Sequence, residues 1–132
     1  MSATTASQAK TPRYFWEDFQ PGLTMEFGPV RVERDAIIDF ASRYDPQPFH
    51  LDEEAGKASL FGGLSASGWH TAALTMRLMC DGFILDSSSL GSPGLKSLKW
   101  SRPVLAGDEL RARMTVLESR PMNSKPHVGQ VR

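Results

Sequence analysis

A broad apolar stripe between Gly68 and Phe83 is the feature that most constrains the fold of this chain. Its apolar side chains recur at helical spacing and cover a wide part of the helix surface; they are Trp69, Ala72, Ala73, Leu74, Met76, Leu78, Met79, Cys80 and Phe83. A helix with so little polar surface is unsuited to lying against solvent. The sequence therefore predicts a central helix that is largely buried.

Strand-like segments precede and follow this helix in the sequence, and they predict a sheet that covers it. Residues 109–116 alternate between apolar and polar side chains, which is typical of an antiparallel strand with one buried face. Other strand-like stretches, separated by turn or loop residues, are Leu23–Val32, Leu95–Val104 and one beginning near His127 after a polar loop at 121–126. We therefore expect an α+β fold whose strands curl around the apolar helix.

Two shorter helices are predicted before the apolar one, with a proline-rich loop between them. Apolar residues recur at i, i+3, i+4 and i+7 from Asp35 to Tyr44, and acidic residues open a second helix over Asp52–Leu60. Between them, Pro46 and Pro48 each lack an amide hydrogen and restrict the preceding residue to extended conformations. We predict a rigid loop at residues 45–48.

Length and composition predict one soluble domain. The 132 residues, 40% of them apolar, suffice for one packed core. The small, polar N-terminal residues predict a flexible tail at residues 1–12, and the domain then occupies residues 13–132. Neither a secretory signal nor a membrane span is recognisable, and the single Cys80 allows no intrachain disulfide. We expect a cytoplasmic protein that does not bind membranes.

Charge, ligand spacing and the absence of a nucleophile motif disfavour three other classes of function. Fifteen basic residues balance fifteen acidic ones, so no overall positive field favours nucleic acid. The three histidines and the single cysteine show no spacing typical of a zinc site, and we expect no metal. A serine hydrolase is equally disfavoured, because the chain contains no GxSxG nucleophile turn.

The proline-stiffened loop carries the clearest chemical signal, because a carboxylate and an imidazole flank it. Adding water to an alkene requires a base for the water and an acid for the carbon beside the carbonyl, and Asp45 with His50 can supply both. Rigid placement of the two groups lowers the entropic cost of the reaction. The competing structural interpretation is that Asp45 caps a turn and His50 packs locally.

A second feature supports the catalytic interpretation. Gly68 stands at the start of the apolar helix, where backbone amides lack partners within the helix. Such an amide can stabilise the negative charge that develops on a thioester oxygen during hydration. The alternative is an ordinary helix start that Ser65 or Ser67 caps.

Three segments together resemble the MaoC-like acyl dehydratases and R-specific enoyl-CoA hydratases: DPQPFHLDEEA, FGGLSASGWHTAAL and SRPVLAGDEL, at residues 45–55, 61–74 and 101–110. That family carries an Asp-x-Asn-Pro-x-His motif, whose Asp and His match Asp45 and His50. The resemblance implies a hot-dog fold, an antiparallel sheet wrapped around a long central helix, and a homodimer or higher homo-oligomer. It also implies incomplete C-terminal strands, because family members usually continue beyond SKPHVGQV.

The resemblance also implies an activity, namely hydration of a 2-enoyl-CoA or dehydration of a 3-hydroxyacyl-CoA, with a CoA or carrier-protein thioester as substrate and no separate cofactor. Asp45 and His50 would handle the water and protons, and the Gly68 amide would bind the thioester oxygen. Three positions depart from the common pattern: Gln47 replaces Asn, Ser67 replaces His, and Met76 stands where some hydratases have serine.

Two other functions fit the same scaffold. A hot-dog thioesterase would bind the same thioester but attack its carbonyl carbon, and fold alone does not decide between the two reactions. A non-catalytic subunit that binds acyl thioesters is the third alternative, favoured if Gln47 or the missing strands disable the site. The sequence also leaves open which of Asp45 and His50 donates the proton, because the two groups titrate as a coupled pair.

Overall fold

A computed structural model describes residues 11–132, which contain one long helix, three short helices and four strands. In chain order these are β1 (Thr24–Arg31), α1 (Arg34–Tyr44), α2 (Pro48–Leu51), α3 (Glu53–Ala58), α4 (Gly68–Gly82), β2 (Glu109–Thr115), β3 (Ser119–Met122) and β4 (Lys125–Val131). Short 3₁₀ turns lie at Trp16–Asp18 and Ile84–Asp86. The predicted tail at residues 1–12 falls almost entirely outside the described residues and stays a prediction.

The four strands form two antiparallel pairs. β1 pairs with β2 from Thr24 opposite Thr115 to Arg31 opposite Glu109, with an irregularity between Phe27 and Val30. Every second residue of β2 is exposed and the residues between them are partly covered, which confirms the predicted alternation. β3 and β4 form a separate hairpin.

The hairpin corrects the predicted loop at residues 121–126. Pro121 lies in β3 opposite Gly129, and β4 begins at Lys125, two residues before the predicted start. A two-stranded ribbon leaves one edge of each strand unpaired, so a proline can lie in it without removing a ladder hydrogen bond. The polar composition that indicated a loop is therefore compatible with an exposed hairpin.

The shorter helices follow the prediction with two changes. α1 and α4 lie where the periodicity placed them, but only residues 45–47 of the proline-rich stretch are non-helical. Pro48 is the first residue of α2, a position where the missing amide hydrogen costs nothing. α3 ends at Ala58, earlier than predicted, and its N-cap residue is Asp52, whose carboxylate accepts the Ala55 amide hydrogen.

The predicted strand Leu95–Val104 is wrong. Within the part of the chain that the structure describes, residues 89–103 form no backbone hydrogen bond to another backbone group. The first backbone hydrogen bond after this segment is the one in which the Val104 carbonyl accepts the Ala66 amide hydrogen. A strand exists only where a second strand pairs with it, and the apolar pattern of this segment shows nothing about its partner. Leu95 is consequently 75% exposed.

The prediction that α4 is largely buried is wrong. His70 is the one residue of α4 that the structure classes as buried, whereas Trp69 is 61% exposed. β1, β2 and α1 contact part of the helix, and Gly82 lies against the Phe27 ring. Several other apolar side chains of the helix are partly covered, and Met76 is exposed.

A small core holds the segment that precedes α4. Val32, Ile37, Leu64 and Ala66 form its buried centre, and the partly buried residues Ile38, Leu74, Val104, Ala106 and Leu110 pack around it. Residues 64–67 are thereby fixed between α1, β2 and the start of α4. No helix among residues 11–132 has the length and hydropathy that a membrane crossing requires.

Candidate active site

Asp45 and His50 lie next to each other where α1 ends and α2 begins. Asp45 follows the last residue of α1, and its backbone amide donates to the Ala41 carbonyl. His50 lies on α2, and its Nε2 atom is 3.4 Å from Oδ2 of Asp45. The imidazole is 7% exposed and the carboxylate 20% exposed, so the carboxylate is the more accessible partner.

A backbone carbonyl determines the orientation of the His50 ring. Its Nδ1 atom lies 2.6 Å from the carbonyl oxygen of Ser65, and the Ser65 hydroxyl is 3.2 Å from the same nitrogen. A carbonyl oxygen can only accept, so Nδ1 carries a hydrogen and donates it. In the neutral ring, Nε2 is then an acceptor that faces Asp45.

Two side-chain donors hold the Asp45 carboxylate. Gln47 Nε2 donates to Oδ1 at 2.6 Å, and the Ser67 hydroxyl donates to Oδ2 at 2.7 Å. Burial raises the pKa of Asp45, but these two hydrogen bonds, together with the positive charge of a protonated His50, outweigh it and hold the pKa below its ordinary value. Asp45 is therefore a carboxylate at neutral pH.

The start of α4 lies beside the Asp45–His50 pair in the cavity wall, and its first backbone amides have no capping partner. Gly68 is the first residue of the helix and Ser67 occupies the N-cap position, yet the Ser67 side chain accepts no capping hydrogen bond. Within residues 11–132 the Gly68 amide has no hydrogen-bond partner. The Trp100 ring packs beside Gly68, 2.6 Å from where a Cβ atom would stand, so close packing is a second reason for glycine here.

All three predicted site residues line one cavity of about 480 Å³. One part of its wall is polar and includes Asp45 and His50. Another part is aromatic, with Trp69 and Trp100 in edge-to-face contact at a centroid distance of 5.4 Å. The remaining lining residues are Gln47, Phe49, Phe61, Ser65, Ala66, Gly68, Thr71, Ser101, Arg102, Pro103 and Val104. Such a cavity can hold an apolar acyl group beside a polar reacting centre.

Sequence reasoning missed the partners of the pair. It treated Gln47 and Ser67 as departures from a motif, whereas both donate to Asp45. It did not identify the Ser65 carbonyl, because no side-chain pattern reports a backbone acceptor. Met76 is not among the cavity residues. Among residues 11–132, no three His, Cys, Asp or Glu side chains gather in a way that could hold a metal ion.

Known proteins resemble this chain in sequence and in fold. The uncharacterized protein YdeM of Bacillus subtilis (strain 168) is 31% identical over 110 residues, which cover 83% of this chain and 77% of that protein. The crystal structure of the MaoC-like dehydratase from Rhodospirillum rubrum is 44% identical with a TM-score of 0.76, over 89% of this chain and 80% of that one.

A more distant structure shares the fold alone. The (R)-hydratase from A. caviae, involved in PHA biosynthesis, is 24% identical with a TM-score of 0.63, over 83% of this chain and 80% of that one. The α+β hot-dog fold that the resemblance implied is thereby confirmed. Residues 18–132 match the family described as MaoC like domain, and the chain therefore belongs to the MaoC-like dehydratase family.

Proposed function

We propose that this protein is an enoyl-CoA hydratase, which adds water across the double bond of a 2-enoyl-CoA or removes it from a 3-hydroxyacyl-CoA, with R stereochemistry. One observation carries the proposal: Oδ2 of Asp45 and Nε2 of His50 lie 3.4 Å apart on the wall of a cavity that also contains the uncapped start of α4. Acid–base groups and an oxyanion donor are the two requirements of this reaction.

When the His50 ring is neutral, both facing atoms of the pair accept hydrogen bonds, and the pair can therefore bind the reacting water. A water molecule beside the two atoms then donates one hydrogen to Asp45 and the other to His50. Its oxygen then bonds to C3 of the substrate while its proton passes to the pair, and the pair delivers a proton to C2. The sum is one water added, with both residues regenerated. General acid–base catalysis of this kind contributes about 10²- to 10⁴-fold.

The thioester oxygen is the third partner in this proposal. Attack at C3 moves negative charge onto that oxygen, and an unpaired amide at a helix start stabilises it. The Gly68 amide is suited to this role because Ser67 does not cap the helix. The reaction needs no cofactor beyond the CoA or carrier-protein group of the substrate itself.

We also propose that the protein is a homo-oligomer. Leu90, Leu95 and Leu98 lie in the segment without strand partners and are exposed, and so are Trp69 and Trp100 in the cavity wall. Large apolar side chains exposed in such number are typical of an interaction surface. We propose that a second copy of the chain covers them.

The proposed reaction is tested with crotonyl-CoA and longer 2-enoyl-CoAs. Hydration removes the absorbance of the conjugated alkene while the thioester stays intact. A thioesterase would instead release free thiol, which is measured separately in the same samples. Loss of absorbance without thiol release supports the proposal, and thiol release alone contradicts it.

The acid–base pair is tested by Asp45→Asn and His50→Ala. We expect each variant to lose about 10²- to 10⁴-fold in kcat, because each removes one proton-transfer group. Asp39→Asn and His127→Ala are the matched controls, since both residues are exposed and lie outside the cavity. Wild-type kcat in either site variant, with circular dichroism confirming the fold, would contradict the mechanism.

A further inference from the structure

Ser67 stands at a helix N-cap without acting as one. Serine is preferred at this position because its side-chain oxygen accepts an amide hydrogen from the first turn. In this protein the Ser67 hydroxyl points to Asp45 and donates to Oδ2 at 2.7 Å, and the first-turn amides of α4 receive no side-chain cap. Ser67 is 0% exposed, so its hydroxyl has no solvent to compete for this bond.

The Ser67 hydrogen bond is made to the carboxylate oxygen that faces His50. Oδ2 is the atom 3.4 Å from Nε2 of His50, whereas Gln47 holds the other oxygen, Oδ1. Gln47 is two residues from Asp45 and lies in the same loop. Ser67 comes from the start of α4, so its hydroxyl links the carboxylate to the helix end where the Gly68 amide is free.

We propose that Ser67 is a positioning residue with two linked effects: it fixes Oδ2 of Asp45 beside His50, and by not capping α4 it leaves the first amides open to the thioester oxygen. This inference rests on the proposed hydratase function. It assigns no direct contact between Ser67 and the reacting atoms. Ser67 acts through Asp45 and through the amides that it leaves unpaired.

Few groups near Asp45 can carry charge, so the effect of the Ser67 hydroxyl on the carboxylate can be measured separately. Among the residues that line the cavity, His50 on α2 and Arg102 on the segment after α4 are the other groups that can carry charge. His50 is the one within ion-pair distance of Asp45. Loss of the Ser67 hydroxyl therefore removes one of the two neutral donors to the carboxylate, with no change of charge nearby.

The test is Ser67→Ala in the full chain, with kcat, KM and pH profiles measured on crotonyl-CoA. We expect kcat to fall about tenfold to a hundredfold, the factor that corresponds to one hydrogen bond to a charged group, with KM changed much less. The acidic limb of the profile should move to higher pH, because the carboxylate loses a donor that favours its ionised form.

Two further variants separate positioning from structural support. Ser67→Cys keeps a weak donor of similar size, so its kcat should lie between those of the wild type and Ser67→Ala. Ser87→Ala removes a serine hydroxyl that donates to the backbone carbonyl of Ile84 outside the cavity, and it should keep wild-type kcat and pH profile. The proposal is overturned if Ser67→Ala behaves as Ser87→Ala does.

A measurement without substrate keeps this inference separate from the proposed function. Titration of the ¹³C-labelled Asp45 carboxyl by NMR should show a higher midpoint in Ser67→Ala than in the wild type. Equal midpoints would overturn the role of Ser67 even in an active enzyme. A wild-type protein that hydrates none of the substrates would overturn the proposed function, and the titration would still decide whether Ser67 holds the carboxylate.

Discussion

At the scale of single residues, His70 is a buried base whose Nδ1 lacks a hydrogen-bond partner among residues 11–132. It is 6% exposed and stacks on Phe40 with ring centroids 4.8 Å apart. Burial lowers the pKa of His70 below its ordinary value, since the charged form would lose its hydration there. Folding therefore favours the neutral ring.

This environment predicts a pH dependence of stability. The unfolded chain binds a proton at His70 near pH 6.5, while the folded chain resists it. The contribution of neutral His70 to the free energy of unfolding should thus be fully present above about pH 6.5 and decrease as the pH falls below that value. In His70→Leu the decrease from pH 8 to pH 5, measured by urea unfolding, should be smaller than in the wild type.

The control for this prediction is His127→Leu. His127 is exposed on β4, and its replacement should leave the wild-type dependence on pH. Identical losses of stability in His70→Leu and the wild type would show that His70 does not cause the effect.

The site residues differ in how far the sequence could predict them. Asp45, His50 and Gly68 were identified because motif spacing is local, and the structure places all three on one cavity. Their catalytic roles stay predictions. The contacts of Ser67 and of the Ser65 carbonyl arise where residues 65–67 meet the end of α1, and no local pattern encodes that meeting.

At the scale of elements, periodicity predicted helices and strands whose pattern lies within one segment. It failed where a strand needs a second segment to pair with. α1, α4 and β2 lie where their apolar patterns indicated. The stretch Leu95–Val104 has an equally strand-like composition but pairs with no strand among the described residues. Strand formation depends on a partner's backbone, so composition could not predict this outcome.

The short helix α2, which carries His50, was also not predicted from the sequence. Two prolines indicated a loop, but Pro48 fits the first turn of a helix, and His50 consequently lies on α2. The amide of Ser65 then donates to the carbonyl of Phe49, which brings His50 to the Ser65 carbonyl. The predicted rigidity of the loop stays a prediction, and the sequence did not predict the helical turn that orients the imidazole.

At the scale of the whole molecule, the exposed apolar segment predicts self-association. A dimer has twice the chain mass of 14.6 kDa, and we expect sedimentation velocity to show that species or a larger one at micromolar concentration. Replacing Leu95 and Leu98 with glutamate should shift the protein towards the monomer, because charge disfavours burial of this face. A monomeric wild type, or no shift in the double variant, would contradict the prediction.

The fold, the cavity and the family support the proposal that the Asp45–His50 pair adds water to the alkene of an enoyl thioester. The decisive experiment is hydration of crotonyl-CoA in H₂¹⁸O, followed by mass spectrometry of the product. We predict ¹⁸O in the hydroxyl group at C3 with the thioester intact, and almost none with Asp45→Asn. Label in a free carboxylate, accompanied by released thiol, would contradict the claim.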